Sequence, residues 1–508
     1  MLFQLDEPFL GAHNERQNET FDMARHVYRD GWRSVLTPKV SYSWPNALKQ
    51  PYTAMLMEVP FHGIIAWPFT YITSHERALM RLVSTAFALM SIQLLYWILY
   101  LWVSPAAAAA AAGCWAMAPL VLQFGQVPMP DIISTAGLLL AFWFALRGKL
   151  PAASLGFLFS MLAKPNSIVF GLPVLVALLL ARNCRSVRDI LRVSILWGWL
   201  PLVGIVAWEF LINYFTPPTD MTILDVMGRS GENRLLRLSF YKFLFGCLFP
   251  MGTGVLGFLG IIFAWKGGIK RLAPWLKVAI ILSNFAFIVL VVRKVAEVQY
   301  TLIILIWLIM AASFGFEFLL AKWCESRLWR TGLAAAMIVH VLMAIFFTVD
   351  LKGSRAPNYP DIVRAGSILP PDARVIVLYR YYGASPAIWL NRNVVAVGGY
   401  SPSFFPSFCE KAFAAGFTHV MILDMESWHD PHSHDSPLAM IKRVLNVGHP
   451  NQDASVTGLT SPSSLFRQYC DLVFEPIFSG SRVVLYSMAS FPKNKQLGEK
   501  IIPTQPAK

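Results

Sequence analysis

The sequence predicts an α-helical polytopic membrane protein of about ten spans, followed by a C-terminal extracytoplasmic α/β domain. Three observations predict it. Of 508 residues, 56% are hydrophobic and only 14% charged, where a soluble globular chain carries about 25% charged residues. Apolar stretches matched to the thickness of a bilayer core recur between residues 81 and 350, and helices satisfy their own backbone polar groups there. After residue 350 the pattern changes to short apolar runs punctuated by Pro and Gly. This composition excludes an ordinary water-soluble enzyme, a disordered chain, collagen and a small disulfide scaffold.

Residues 1–80 are polar and mixed, and Asp6 and Glu7 interrupt any signal-peptide pattern. They read as a first extracytoplasmic loop with juxtamembrane helices; within it, the stretch from Phe61 to Thr73 is too short to span and lies along the interface. The transmembrane helical domain occupies residues 81–350. Spans are expected at 81–103, 106–124, 132–146, 151–163, 169–181, 193–212, 241–264, 273–292, 300–321 and 331–349. The two segments flanking Lys164 and Pro165 are short for a bilayer, which predicts broken or tilted helices around a buried polar point.

Charge sets the topology. One set of loops holds Arg147, Lys149, Arg182, Arg185, Arg188, Arg192, Lys266, Lys270, Arg271, Lys322, Arg327 and Arg330, and the alternating set holds only Lys164, Arg293 and Lys294. By the positive-inside rule the first set is cytoplasmic. Most of the net charge of +14 is therefore orientation, not affinity for nucleic acid. Residues 1–80 and everything after Asp350 then lie outside, which leads to the expectation of a further helix upstream of this sequence.

Residues 351–508 form the third unit, an α/β domain. Strands are expected at Val375 to Tyr379, Val394 to Val397, Val420 to Leu423 and Val483 to Tyr486, with a helix over Phe404 to Ala415. The six cysteines form no CxxC pair, so no zinc or redox motif is present. Cys409 and Cys470 share this domain and have the option of pairing in an oxidising compartment.

Several polar residues carry possible chemistry. On a helix, Glu15, Glu19, Asp22 and His26 share one face, which reads either as a divalent-cation site or as a solvated face. Asp131 opens an apolar span, as an N-cap or as a group facing a cavity. Lys164 either snorkels to lipid headgroups or holds a phosphate where Pro165 breaks the backbone. Arg293 and Lys294, with Glu297 and Tyr300, form another outer basic point, whose competing reading is interfacial anchoring. Glu58 precedes the interfacial stretch. His429, His432 and His434 cluster with Asp424, Asp430 and Asp435, a metal patch or a polar turn.

These residues also carry a resemblance. His13-Asn14-Glu15-Arg16-Gln17-Asn18-Glu19-Thr20, then Ala24-Arg25 and Glu58-Val59-Pro60, is similar to the pattern H-x-x-R-Q-x-D-T…A-R…E-F-P of bacterial GT-C superfamily membrane glycosyltransferases. The branch is that of protein O-mannosyltransferases and the aminoarabinose transferase, glycosyltransferase family 39-like. Met129-Pro130-Asp131 looks like the acid of the second outer loop, and Ala163-Lys164-Pro165 like a following Lys-Pro element. Glu19 stands where the pattern usually has Asp.

The resemblance implies an integral-membrane, inverting glycosyltransferase. It would move a sugar from a polyprenyl-phosphate-linked donor to a hydroxyl acceptor at the outer face of the bacterial cytoplasmic membrane. It implies Glu19 as general base and Asp131 as a catalytic-site acid. Lys164, with Arg16, Arg293 and Lys294, would bind the donor phosphate, and His13, Gln17, Glu58 and Tyr300 would position substrate. The partners are the lipid-linked sugar, a glycan, lipid or protein acceptor and membrane lipids, with no nucleic acid. No cofactor is implied and no step demands a metal. The alternative is a polytopic transporter of a lipid-linked or anionic substrate, which the many spans and the Lys-Pro break also fit; the absence of an internal repeat and the outer polar regions weigh against it.

Overall fold

The computed structural model describes residues 14–37, 39–40, 53–54, 58–215, 237–292, 298–352, 359–378, 390, 393–397, 405–423, 469–479, 483–491 and 494. α1 (Asn14–Asp30), the short α2 (Arg33–Leu36) and an antiparallel ribbon of β1 (Lys39–Val40) and β2 (Thr53–Ala54) precede α3 (Phe61–Ala66). Next come α4 (Glu76–Leu99), α5 (Pro105–Met117), α6 (Pro119–Phe124), α7 (Pro130–Leu146) and α8 (Leu150–Ala163). A 3₁₀ turn at Pro165–Phe170 leads into α9 (Gly171–Ala181), followed by α10 (Val187–Phe215). α11 (Leu238–Leu248) passes through a π turn, Phe249–Thr253, into α12 (Gly254–Phe263). α13 (Pro274–Phe287), a 3₁₀ turn at Val298–Thr301, α14 (Leu302–Glu325) and α15 (Arg327–Lys352) complete the helical part.

Among the described residues, six helical segments are long and apolar enough to cross a membrane: Glu76–Leu99, Val187–Leu211, Leu238–Phe263, Pro274–Val292, Val298–Glu325 and Arg327–Val349. Four shorter apolar segments, Pro105–Met117, Pro130–Leu146, Leu150–Ala163 and Pro165–Ala181, fill the remaining expected positions. The expected span 106–124 is two helices, because Pro119 forces Ala118 out of the helical region, to φ −59° and ψ 125°. The expected span 241–264 is likewise interrupted, by the π turn. Burial separates the helices by role: 78% of the α14 window is buried, against 17% for α10 and α15. α14 is thus the central post, and the outer two helices present their apolar side chains outward.

A close helix contact that bears on function joins α7 and α8. A Cβ added at Gly137 would lie 2.9 Å from the Ser160 backbone nitrogen, and one at Gly156 2.8 Å from that of Ala141. Both are closer than side-chain carbons tolerate, so the two backbones touch only because these positions are glycine. Ser160 Oγ donates to the Ser134 carbonyl at 2.8 Å and lies 3.1 Å from Ser134 Oγ, satisfying buried hydroxyls inside the apolar layer.

Side-chain contacts define two ends of the bundle. At one, Ser104 caps α5 by accepting from the Ala107 amide, and its own amide and hydroxyl donate to the Glu317 carboxylate. Arg182 there bonds the Gly148 carbonyl, and Phe263, Phe318 and Trp329 form an aromatic cluster. Lys266 sits over Phe263 and Phe318 at this end, which also carries the Arg147, Lys149 and Lys322 loops. The opposite end carries α1, α3, the loop before α7, Lys164 and the turn before α14.

The C-terminal sheet has strand order β4-β3-β5-β7-β6, from β3 (Arg374–Leu378), β4 (Asn393–Val397), β5 (His419–Leu423), β6 (Glu475–Ser479) and β7 (Val483–Ser487). β4, β3 and β5 are parallel, and β7 and β6 continue the sheet antiparallel. One face, Ile376, Leu378, Val420, Ile422, Val484 and Tyr486, packs under α17 (Phe405–Ala414) and residues 469–473. The other face meets Ile362 and Ala365 of α16 (Tyr359–Ile368). Four strands and α17 fall where the sequence places them; β6 and α16 were not anticipated. Cys409 and Cys470 are free thiols in the same core cluster, and burial pushes both well above the ordinary thiol range, with the Cys409 and Asp471 charges adding to the effect at Cys470.

Three substitutions test this packing. Gly156→Ala destabilises the protein by about 1–3 kcal/mol through backbone overpacking, while Gly198→Ala, with nothing within 4 Å of the added carbon, is neutral or stabilising. Glu317→Ala removes the acceptor of the Ser104 amide and hydroxyl and costs about 1–2 kcal/mol. Thermal unfolding of the detergent-purified chain reads all three.

Candidate active site

Two helix ends build the site. Met129 is extended, at φ −121° and ψ 129°, and Pro130 starts α7 with Asp131 in its first turn, where unpaired N–H groups favour a carboxylate. Lys164 follows the last residue of α8 and is extended, at φ −153° and ψ 103°, because the residue before a proline is held out of the helical region. α7 and α8 are antiparallel, so the start of one meets the end of the other. The Lys164 ammonium donates to Asp131 Oδ1, with side chains only 9% and 5% exposed.

A third element completes the group. The 3₁₀ turn before α14 places the Tyr300 ring centroid 4.3 Å from Lys164 Nζ, a cation–π contact. With Thr135, Asn166 and Gln299, these residues line a cavity of about 220 Å³ of empty space, counting the part open to solvent. Phe287 and Ile303 form its apolar wall. Among the described residues, Lys164 is the only cation and Asp131 the only acid lining it. Asp131 Oδ2 is buried with no hydrogen-bond partner among the described residues.

The surrounding segments are tied to this cavity. Arg81 donates to the Gln126 carbonyl at 3.1 Å and Ser84 Oγ to the Val127 carbonyl at 2.7 Å, fixing the loop that precedes Asp131. His62 Nε2 lies 2.9 Å from the same Ser84 hydroxyl, which links α3 to that loop. α3 in turn packs on α1, with the Gly63 position 2.9 Å from Ala24 Cα for an added carbon. The Val59 amide donates to the Leu162 carbonyl at 2.9 Å, so buried Glu58 stands beside the segment that ends in Lys164.

Of the residues singled out from sequence, the structure brings Asp131, Lys164 and Tyr300 into one cavity. Glu19, Gln17 and Glu58 do not line it. Glu19 and Gln17 are on α1, partly and fully buried respectively, and Arg25 anchors that helix to Glu76 at 3.1 Å. The Tyr28 hydroxyl adds a bond to Met80 Sδ at 2.9 Å; burial chiefly, then the Glu76 charge, pushes this phenol up, so it stays a neutral donor. The α1 face is not solvated: Asp22 and His26 are buried, and His26 lies 3.9 Å from Asp22 and 3.5 Å from Asp30. No group of three or more metal-binding side chains occurs among the described residues.

Arg16 falls within α1, but its side chain lies outside the described residues, as do His13, Arg293, Lys294, Glu297 and the His429 to Asp435 patch. Thr135, Asn166 and Gln299 were missed. Each is a polar residue one or a few positions from a candidate already noted, and the short Arg147-Gly148-Lys149 loop, which forces α7 and α8 antiparallel, was the available signal.

No protein-family model and no curated protein sequence matches the chain. Solved structures do. The crystal structure of ArnT from Cupriavidus metallidurans in the apo state is similar with a TM-score of 0.61 at 15% identity, covering 100% of this chain and 97% of that one. The same protein bound to undecaprenyl phosphate gives 0.57 at 14% identity, covering 96% of each chain. The Archaeoglobus fulgidus oligosaccharyltransferase in the apo form gives 0.53 at 12% identity, covering 85% of this chain and 68% of that one. The chain has the fold of the GT-C superfamily of membrane glycosyltransferases.

Proposed function

We propose that this protein is an inverting membrane glycosyltransferase that moves a sugar from a polyprenyl-phosphate-linked donor to a hydroxyl acceptor. The observation that carries the reading is the buried Lys164 at a helix break, lining a cavity at the end of the bundle away from the basic loops. The fold adds support, since one structure of this fold is an ArnT bound to undecaprenyl phosphate. The positive-inside rule supports a cavity end that faces away from the cytoplasm, and in this reading the reaction runs at the outer face of a bacterial inner membrane. In this reading residues 1–80, 81–350 and 351–508 are the first outer loop, the helical domain and an outer α/β domain.

The chemistry follows from the charges. Glu19 stands outside the cavity lining, on α1 at the same end, so in this reading the acceptor hydroxyl is held between α1 and the cavity, where Glu19 takes its proton as the oxygen attacks the anomeric carbon. The bond from that carbon to the phosphate oxygen breaks in the same displacement, which inverts the centre. Negative charge develops on the departing lipid phosphate, and the Lys164 ammonium stabilises it. Arg16, Arg293 and Lys294 are secondary candidates for the same charge. Asp131 orients a hydroxyl, and His13, Gln17, Glu58 and Tyr300 position substrate. Every step uses side chains of this chain.

The test uses purified full-length protein with undecaprenyl-phosphate-linked sugars and a panel of hydroxyl acceptors, reading released undecaprenyl phosphate. Glu19→Gln lowers transfer by about 10²–10⁴-fold while the thermal midpoint and undecaprenyl phosphate binding stay as in the wild type. Transfer at the wild-type rate in that variant contradicts the assignment of the base.

A further inference from the structure

Lys164 already has an anion. Its ammonium has three N–H donors, one of which is committed to Asp131 Oδ1, and the Tyr300 ring face covers another side of the charge. An incoming phosphate at this point meets a carboxylate in direct contact with the cation it needs. Two like charges sharing one ammonium in a buried site repel each other. Either the phosphate stays out, or the carboxylate leaves.

Asp131 is built to leave. Only one of its oxygens is paired; the other, Oδ2, is buried without a hydrogen-bond partner among the described residues. Its backbone sits in the first turn of a 17-residue helix, whose positive end continues to stabilise a carboxylate released from lysine. Lysine suits the exchange on the other side, being a point charge on a flexible stem with no fixed fork geometry to break. We propose that Asp131 is a resident counter-ion that a lipid phosphate displaces from Lys164, and that the displaced carboxylate becomes the acceptor for a substrate hydroxyl. Donor arrival thereby frees the orienting group: without a phosphate at Lys164, Asp131 is occupied and does not hold a hydroxyl. This inference rests on the reading above, that Lys164 receives the donor phosphate.

The experiment measures binding of undecaprenyl phosphate to the full chain in lipid nanodiscs for the wild type, Asp131→Asn and Lys164→Met. Removing the competing charge in Asp131→Asn tightens binding by about ten-fold, although transfer falls. Lys164→Met weakens binding by at least about ten-fold. Equal or weaker binding by Asp131→Asn, with Lys164→Met weakened, overturns the displacement and leaves the phosphate site standing. Wild-type binding by Lys164→Met overturns the phosphate site itself. A second measurement needs no variant and covers misfolding of Asp131→Asn. In the wild type, labelling of Asp131 by an apolar carbodiimide, read by peptide mass spectrometry, rises when undecaprenyl phosphate is added. Unchanged or reduced labelling counts against displacement.

Discussion

The close approach of α7 and α8 is the constraint on which the rest of the site depends. Gly137 and Gly156 let the two backbones touch, and the Ser134–Ser160 hydrogen bonds lock the crossing inside an apolar layer. In lipid, helices gain nothing from hiding apolar surface from one another, so small residues and interhelical hydrogen bonds decide which helices meet. Because the pair is antiparallel and joined by a short loop, the N-terminal turn of α7 and the residue after α8 are brought to the same point. Asp131 and Lys164 are therefore neighbours by construction. Widening this crossing by a single carbon would separate the only acid and the only cation that line the cavity among the described residues.

A second constraint is the asymmetry of the two ends. One end concentrates Arg and Lys in short loops and is sealed by packing: a carboxylate bonded to the cap residue of α5, an arginine on a neighbouring turn, lysines over aromatic rings. The other end is irregular, with an extended lysine, 3₁₀ turns on two segments and the extended Met129 before α7. Irregular backbone at membrane depth is tolerated where it is packed in protein or lines a cavity. The cavity lies there; Arg81 and Ser84 of α4 hold the loop after α6 by its carbonyls, His62 of α3 joins them through the Ser84 hydroxyl, and α1 packs on α3. Such a framework can admit an amphipathic ligand whose polar head enters the cavity while its apolar tail stays among the exposed helix faces.

Much of this was legible in the sequence because a membrane leaves few alternatives. Apolar runs located the helical segments, and the lone Lys164-Pro165 step correctly marked a break around a buried polar point. The strands of the C-terminal sheet were legible where Val and Ile runs are buried on both faces. β6 was not, because Glu475-Pro476-Ile477 reads as a loop; the proline is tolerated on an edge strand, beside a bulge between Pro476 and Phe478. The ion pair escaped because its members are 33 positions apart and were weighed singly, as a cap and as a snorkelling cation. The buried state of Asp22 and His26 escaped for a different reason: a polar face on a helix looks solvated until the elements that cover it are known.

The most direct test of the account is an experimental structure of the full chain with undecaprenyl phosphate bound. The phosphate is expected within about 3 Å of Lys164 Nζ, in the position now held by the Asp131 carboxylate, with Asp131 turned away. A phosphate bound elsewhere, with the Lys164–Asp131 contact intact, would contradict it.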